Sequence, residues 1–437
     1  MRTLLSLALF SASAATAADL PKFKVQEIDA GLKIGYAVVT ADVDGDKKPD
    51  IVVVDQHKVV WYRNPGKADG EWKKFVMLDG KTKPDNVCIA PIDIDGDGKP
   101  EFVLGAAWKP FDTANPGQLV WLKRGDDVTK EWSMHELPCD EPTVHRVRCF
   151  DIDGDGKPEI VHVPLMGRGS SAKGLWVDGK PVRIVALKVP AKEPEKKENW
   201  KTQVLSEELN VCHNFLPAGL GAHGAKSGSY LTVGSFEGLS TIAKNKEGKF
   251  EAFKLFEGNQ ANPKGNRGCS ELAWGEYESY RIVADEYRGG TYDPYAFAAT
   301  IEPWHGNQVV VHEPPVEGNK LWKRTVIDEQ LRWGHAVKCA QLGPQPTGTA
   351  FGAIWSDIIV GVRDDPNPKM GDNFKERRGV RIYRKNKDGK WERTILEDGG
   401  VAVEDLTVAD LNGDDKPDIV AVGRATGNCR IYWNQGK

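Results

Sequence analysis

The chain predicts an all-β protein of seven four-stranded sheets set radially and closed into a ring. Three observations carry this. A nine-residue acidic turn occurs four times, each copy flanked by apolar β-rich runs. Apolar runs of one four-strand pattern repeat along the chain. An outermost-type strand stands alone at the front, and the last unit lacks one.

The turns are Asp42-Val-Asp-Gly-Asp-Lys-Lys-Pro-Asp50, Asp93-Ile-Asp-Gly-Asp-Gly-Lys-Pro-Glu101, Asp151-Ile-Asp-Gly-Asp-Gly-Lys-Pro-Glu159 and Asp410-Leu-Asn-Gly-Asp-Asp-Lys-Pro-Asp418. Each joins an innermost strand, A, to a second strand, B. Second strands read Ile51-Val-Val-Val54, Phe102-Val-Leu104, Ile160-Val-His-Val163, Tyr230-Leu-Thr-Val233, Phe297-Ala-Ala-Thr-Ile301, Ile358-Ile-Val360 and Ile419-Val-Ala-Val422. Third strands, C, include Val59-Val-Trp-Tyr62, Leu119-Val-Trp-Leu122, Val309-Val-Val311, Val380-Arg-Ile-Tyr383 and Cys429-Arg-Ile-Tyr432. Outer strands, D, open on an aromatic and then alternate: 72–78, 132–137, 200–205, 250–256, 322–327 and 391–396. That leaves seven second strands and six outer ones. Phe23-Lys-Val-Gln-Glu-Ile28 supplies the seventh, so the two ends of the chain must share a sheet. Radial repetition with closure is a seven-bladed β-propeller. A linear solenoid would leave residues 23–28 unpaired.

The chain has 437 residues and a net charge of −4, which implies no polyanion-binding surface. Arg2, the apolar run Thr3 to Phe10 and the small residues Ala15-Thr-Ala17 form an export signal over residues 1–17. Residues 18–437 are then one exported, periplasmic or extracellular propeller with no membrane span. The seven cysteines do not form a disulfide framework. Cys88, Cys149 and Cys339 read as buried thiols in strands, and a Cys212–Cys269 bridge between adjacent repeats is open.

Positions 1, 3, 5 and 9 of the turns crowd hard oxygen ligands, which suits Ca²⁺. The expected ligands are Asp42, Asp44, Asp46 and Asp50; Asp93, Asp95, Asp97 and Glu101; Asp151, Asp153, Asp155 and Glu159; and Asp410, Asn412, Asp414 and Asp418. Asp and Gly also make good turns without metal. Leu216-Pro-Ala-Gly219 and Gln341-Leu-Gly343 have lost the acids and should not bind. The pattern resembles the FG-GAP/VCBS repeats of integrin-type propellers, which implies structural calcium.

The opposite mouth carries the candidate chemistry. About six residues before each acidic turn, the A-strand starts align as Tyr36, Val87, His145, His213, Ser270, His335 and Glu404. Singly, each histidine would read as a packed residue. With nine histidines in the chain, three at equivalent places read as a site. His145, His213 and His335 are the expected Zn²⁺ ligands around an open position. Glu404 is a fourth ligand or the general base. His305, in Glu302-Pro-Trp-His-Gly-Asn-Gln308, is a ligand or an acid/base. Arg168 and Arg363 lie on loops of the same mouth and would hold sugar hydroxyls. Trp108, Trp304 and Trp333 would suit a polyhydroxylated ligand or pack between blades.

Six further motifs add to this: Glu141-Pro-Thr-Val-His-Arg-Val147, Val163-Pro-Leu-Met-Gly-Arg-Gly169, His213-Asn-Phe215, Ile301-Glu-Pro-Trp-His-Gly-Asn-Gln308, Leu331-Arg-Trp-Gly-His-Ala336 and Gly361-Val-Arg-Asp-Asp365. Together they resemble the propeller part of aldos-2-ulose dehydratase, also called 1,5-anhydro-D-fructose dehydratase, across nearly all the mature chain. The resemblance implies zinc at the floor of the propeller cleft and dehydration of a keto-sugar. The fungal member of that family adds cupin domains for a following isomerisation and a lectin-like domain. No stretch here corresponds to them, so elimination without that second step is expected. The expected mechanism is metal-assisted β-elimination from a ketone. The competing class is a non-catalytic calcium-binding propeller for carbohydrate or protein adhesion, because fold alone does not decide function.

Overall fold

Antiparallel pairing runs outward through four strands in each of seven sheets, as the repeat predicts. The computed structural model describes residues 20–217, 230–279, 293–314, 322–344, 354–363 and 378–437. The leader, most of the 364–378 loop with Asp364 and Asp365, and residues 218 and 219 of the blade-four turn lie outside these.

Blade one is Ala37–Ala41, Asp50–Val54, Lys58–Arg63 and Lys73–Asp79. The innermost strands of blades two to seven are Cys88–Ile92, Arg146–Phe150, Asn214–Pro217, Leu272–Ser279, Gly334–Ala340 and Val403–Ala409. The seven residues of the strand-start alignment, Tyr36, Val87, His145, His213, Ser270, His335 and Glu404, therefore lie at or just before the start of an innermost strand. Two third strands that the pattern left unassigned are Val182–Lys188 and Gly238–Lys244. Second strands are buried along their length, as in Asp50–Val54 and Glu159–Val163. Neighbouring blades cover both faces, so these strands need continuous apolar runs rather than alternation. Trp61, Trp121, Trp132 and Trp433 are fully buried.

The ring closes where Phe23–Asp29 pairs with Cys429–Asn434, with Lys24 opposite Trp433 and Val25 opposite Tyr432. Gln26 Oε1 accepts the Trp433 indole N–H at 2.8 Å. Residues 22 and 435–436 extend the pairing by two backbone bonds of 2.8 and 2.9 Å.

Two expectations need amendment. Blade five gains a fifth strand, Ile354–Trp355, which pairs with Leu272–Ser279 at Tyr277 and Glu278. It comes from the connection between the first two strands of blade six, which is long enough to reach back onto the neighbouring sheet. The open disulfide does not form: all seven cysteines are free. Among the described residues, no helix is long and apolar enough to cross a membrane.

Removing residues 20–29 should lower stability while leaving six blades intact. The lost strand carries six paired residues. At about 0.5–1.5 kcal/mol per hydrogen bond, the loss is on the order of 3–9 kcal/mol. Denaturant unfolding followed by tryptophan fluorescence measures it, and an unchanged midpoint would contradict the closure.

Candidate metal centre

His213, His305 and His335 place one ring nitrogen each within 4.8 Å of one another. This is not the trio expected from the A-strand alignment. His145 stands beside His213, with ring centroids 4.6 Å apart, but outside that group. His305 comes instead from the connection between the second and third strands of blade five. Alignment of strand starts could not find it; only its short Trp-His-Gly-Asn motif drew attention to it.

The backbone aims these rings by local irregularity. Thr143, Val211 and Trp333, each two residues before His145, His213 and His335, have φ of 47°, 48° and 54°. His305 itself has φ of 50°. These are left-handed conformations that non-glycine residues rarely hold, and they persist only where the surroundings enforce them. His335 and Glu404 each fall where the strand register shifts, between Gly334 and Ala336 and between Val403 and Asp405. A bulge at a strand start re-aims one side chain without moving the sheet.

Hydrogen bonding fixes the tautomers. His335 Nδ1 lies 2.6 Å from the Glu404 carbonyl oxygen, so Nδ1 carries the proton and Nε2 is left as a ligand atom. His213 Nδ1 lies 2.7 Å from Glu271 Oε1, though out of line for a well-formed hydrogen bond. The carboxylate again draws the proton to Nδ1. His305 differs. Its Nδ1 faces the donor Arg363 Nη2 at 3.3 Å, which leaves its proton on Nε2. That Nε2 lies 2.8 Å from His213 Nε2. A metal ion at this point would take the place of the shared proton.

All four imidazoles are pushed well below the ordinary histidine range. Burial is the largest cause for each. The guanidinium of Arg146 for His145 and His213, and of Arg363 for His305 and His335, adds to it. Neutral imidazole is the form that ligates metal, so protons do not compete near pH 7. The donor set, neutral nitrogens around one point with oriented outer nitrogens, fits Zn²⁺.

Glu404 borders the cluster. Its carboxylate takes Arg363 Nη1 at 3.1 Å and Arg424 Nη1 at 2.9 Å, and lies 3.8 Å from His335 Nε2. With both oxygens held by guanidiniums, it is better suited to fixing Arg363 and Arg424 than to accepting a proton. Arg168 does not reach the histidines. Its guanidinium donates to the carbonyls of Ala114, at 2.7 Å, and Asp140, and it lines a separate side pocket with Glu141 and Arg183. Trp304 stacks on His305 at 4.5 Å, Trp108 lies 5.0 Å from His145 and Trp333 lies 6.3 Å from His305. All three expected tryptophans thus border the imidazoles. Sequence reasoning missed Glu271 as the partner of His213, and Asp85, whose carboxylate accepts the Tyr36 hydroxyl at 3.3 Å. Neither carries a repeat signature.

At the other face the acidic turns fold alike. The position-one aspartate accepts backbone N–H groups, as Asp42 does from Gly45 at 2.8 Å and Lys47 at 3.0 Å. Position four is left-handed glycine in every copy, and position six is Gly98, Gly156, Lys47 or Asp415, all with positive φ. The carboxylates that converge are those of positions one, three and nine: Asp42, Asp44, Asp50; Asp93, Asp95, Glu101; Asp151, Asp153, Glu159. Position five departs from the expected set. Asp46, Asp155 and Asp414 pair instead with Lys48, Lys188 and Lys416, and Asp97 lies 3.8 Å from Lys99. Position nine closes the turn by accepting the N–H of position two, at 2.9–3.1 Å in all four. Blade six keeps this closure, with Asp357 accepting from Leu342 at 3.0 Å, although it lacks the other acids. Glu101 Oε1 and Glu159 Oε1 are buried without a partner, which leaves an oxygen for a cation. The free oxygens of Asp50 and Asp418 are taken by Asn64 and Asn434 N–H groups. Blades two and three therefore fit Ca²⁺ better than blades one and seven.

This architecture defines a seven-bladed β-propeller with an FG-GAP-like repeat, and residues 42–104 match the model of that repeat. Within that class, residues 116–314 match the aldos-2-ulose dehydratase β-propeller domain, the family that the sequence motifs resemble. No curated protein matches the chain. Among solved structures, a chain of a mercury-soaked BBS1N–ARL6DN complex is 11% identical, with a TM-score of 0.50 over 96% of this chain and 98% of that one. An Agrocybe aegerita lectin specific for non-reducing terminal N-acetylglucosamine is 14% identical, covering 92% and 91%, at 0.48. A Trichoderma reesei protein of carbohydrate-active enzyme family AA12 is 8% identical, covering 97% and 100%, at 0.44. At these identities the likeness concerns the fold.

Burial raises Asp50 and Glu101 to about 7 and Asp418 to about 6, against about 4 in an unfolded chain. Between these limits the folded protein binds more protons than the unfolded one. Metal-free protein should therefore lose stability as pH rises from about 4 to about 7. Calcium binds the ionised form, so it should raise the melting temperature more at pH 7.5 than at pH 5. Calorimetry in chelator and in calcium tests this; equal curves at pH 7.5 would make the loops turns only.

Proposed function

We propose that the protein is an exported, zinc-dependent carbon–oxygen lyase. It dehydrates a keto-sugar such as 1,5-anhydro-D-fructose, an aldos-2-ulose or a 3-keto-glycoside. The single observation that supports this most is the convergence of four neutral imidazoles, three of them buried and His305 half-buried, at the channel mouth beside three tryptophans. An adhesion surface has no need of desolvated histidines. The match of residues 116–314 to a dehydratase-family propeller supports the same reaction class.

His213, His305 and His335 would hold Zn²⁺, which when bound supplies a Lewis acid for a carbonyl oxygen. His145 is the proposed base. It is neutral for the reasons above; Arg146 Nη1 lies 3.3 Å from its Nε2, so the ring proton sits on Nδ1 and Nε2 is the nitrogen left to accept another. Taking the proton α to the ketone is the role that such a nitrogen can perform. The phenol of Tyr36, raised to about 12 chiefly by burial, stays protonated and is the proposed donor to the departing hydroxyl. Arg363 and Arg424, held by Glu404, would bind sugar hydroxyls and balance charge as the elimination proceeds. Trp108, Trp304 and Trp333 offer apolar faces to the ring and exclude water from it.

Two variants separate the roles. His213→Ala should lose both zinc and turnover with the propeller still folded. His145→Ala should keep zinc and lose turnover by about 10²–10⁴-fold. Enone absorbance on 1,5-anhydrofructose and a set of 3-keto-glycosides, with metal analysis of each variant, provides the readout. Full activity in His213→Ala would end the proposal, and zinc loss in His145→Ala would return that residue to the ligand set.

A further inference from the structure

Below the histidines the central channel contains charges that the proposed reaction does not use. A cavity of about 260 Å³ is lined by Arg146, Arg148, Lys338, Asp405, Asn214 and other innermost-strand residues. It continues past Thr40 and Thr407, which lie two and three residues before the acidic turns of blades one and seven. Arg146 and Arg148 alternate on one strand and so share its channel face.

The cations here lack close counter-ions. Lys338 makes no hydrogen bond or ion pair with any described residue. Arg148 donates only to neutral groups, the Phe215 carbonyl at 2.9 Å and Asn214 Oδ1 at 3.0 Å. Arg146 binds the His145 carbonyl at 3.2 Å and reaches Glu271 Oε1 only at 3.6 Å. The nearby acids are engaged elsewhere. Asp405 accepts the N–H groups of Val38 at 3.1 Å and Leu406 at 2.9 Å. Glu271 Oε2 accepts from Asn214 at 2.5 Å, and its Oε1 lies against His213. Three cations face two committed carboxylates, leaving an excess of one positive charge in a partly buried channel. Partly buried charge of this kind is costly unless it is paired.

We propose that the channel holds one small monovalent inorganic anion, of halide size, between Lys338 Nζ and the guanidiniums of Arg146 and Arg148. One negative charge matches the excess, and the cavity has room for the ion with accompanying water. The site lies one layer beneath the imidazoles and is independent of the proposed lyase reaction.

The test uses the full-length protein and chloride or bromide as the probe. Raising chloride at constant ionic strength, with gluconate as the replaced anion, should raise the melting temperature by about 1–3 °C. Lys338→Met should abolish that dependence. A crystal of the unaltered protein soaked in bromide should give an anomalous peak on the channel axis beside Lys338. This second measurement stands if the variant fails to fold. A bromide map with no peak on the axis would overturn the proposal. So would a chloride response retained in full by Lys338→Met.

Discussion

Circular closure is the constraint on which everything else in this protein depends. The pairing of residues 23–29 with 429–434 turns seven successive sheets into a ring whose innermost strands face one axis. Residues 145, 213, 305 and 335 are far apart along the chain, and their contacts with one another are all long-range. Each blade holds its own ring rigidly because its second and third strands are packed on both faces. The site is therefore assembled mainly by sheet packing: His145, His213 and His335 lie at or just before strand starts, and His305 lies on the short connection between two strands of blade five.

Desolvation then gives those imidazoles their chemistry. Burial and the guanidiniums of Arg146 and Arg363 keep all four neutral. Glu404 holds Arg363 and Arg424 in place, and Glu271 orients His213. Carboxylates at the mouth thus act largely through their neighbours. The same economy extends down the channel, where Asp405 is consumed by backbone N–H groups and the lysine near it is left without a partner. Positive charge along the axis is a property of the whole inner layer, and no single blade displays it.

The acidic turns follow a different logic. Their first and ninth positions are used by the turn's own backbone, which explains why blade six retains Asp357 after losing the other acids. The two blades whose ninth residue is glutamate keep an unpaired buried oxygen; the two with aspartate do not. One methylene of extra length, together with the absence of an asparagine N–H cap, separates a turn from a turn fitted for a cation.

The sequence by itself determined the blade count, the strand order, the terminal closure and the general location of the site. Those follow from periodic apolar runs and a repeated turn, which are local signals read directly in one dimension. It also singled out every histidine at the mouth. Tertiary structure alone decided which of them converge. His305 joins His213 and His335, and His145 stands aside, because bulges and left-handed residues rotate individual rings by amounts that strand alignment does not encode. It also decided that Arg168 turns to backbone carbonyls in a side pocket, and that Glu271 and Asp85 serve as partners. Such contacts cross between blades, where the distance along the chain carries no information about the distance in space.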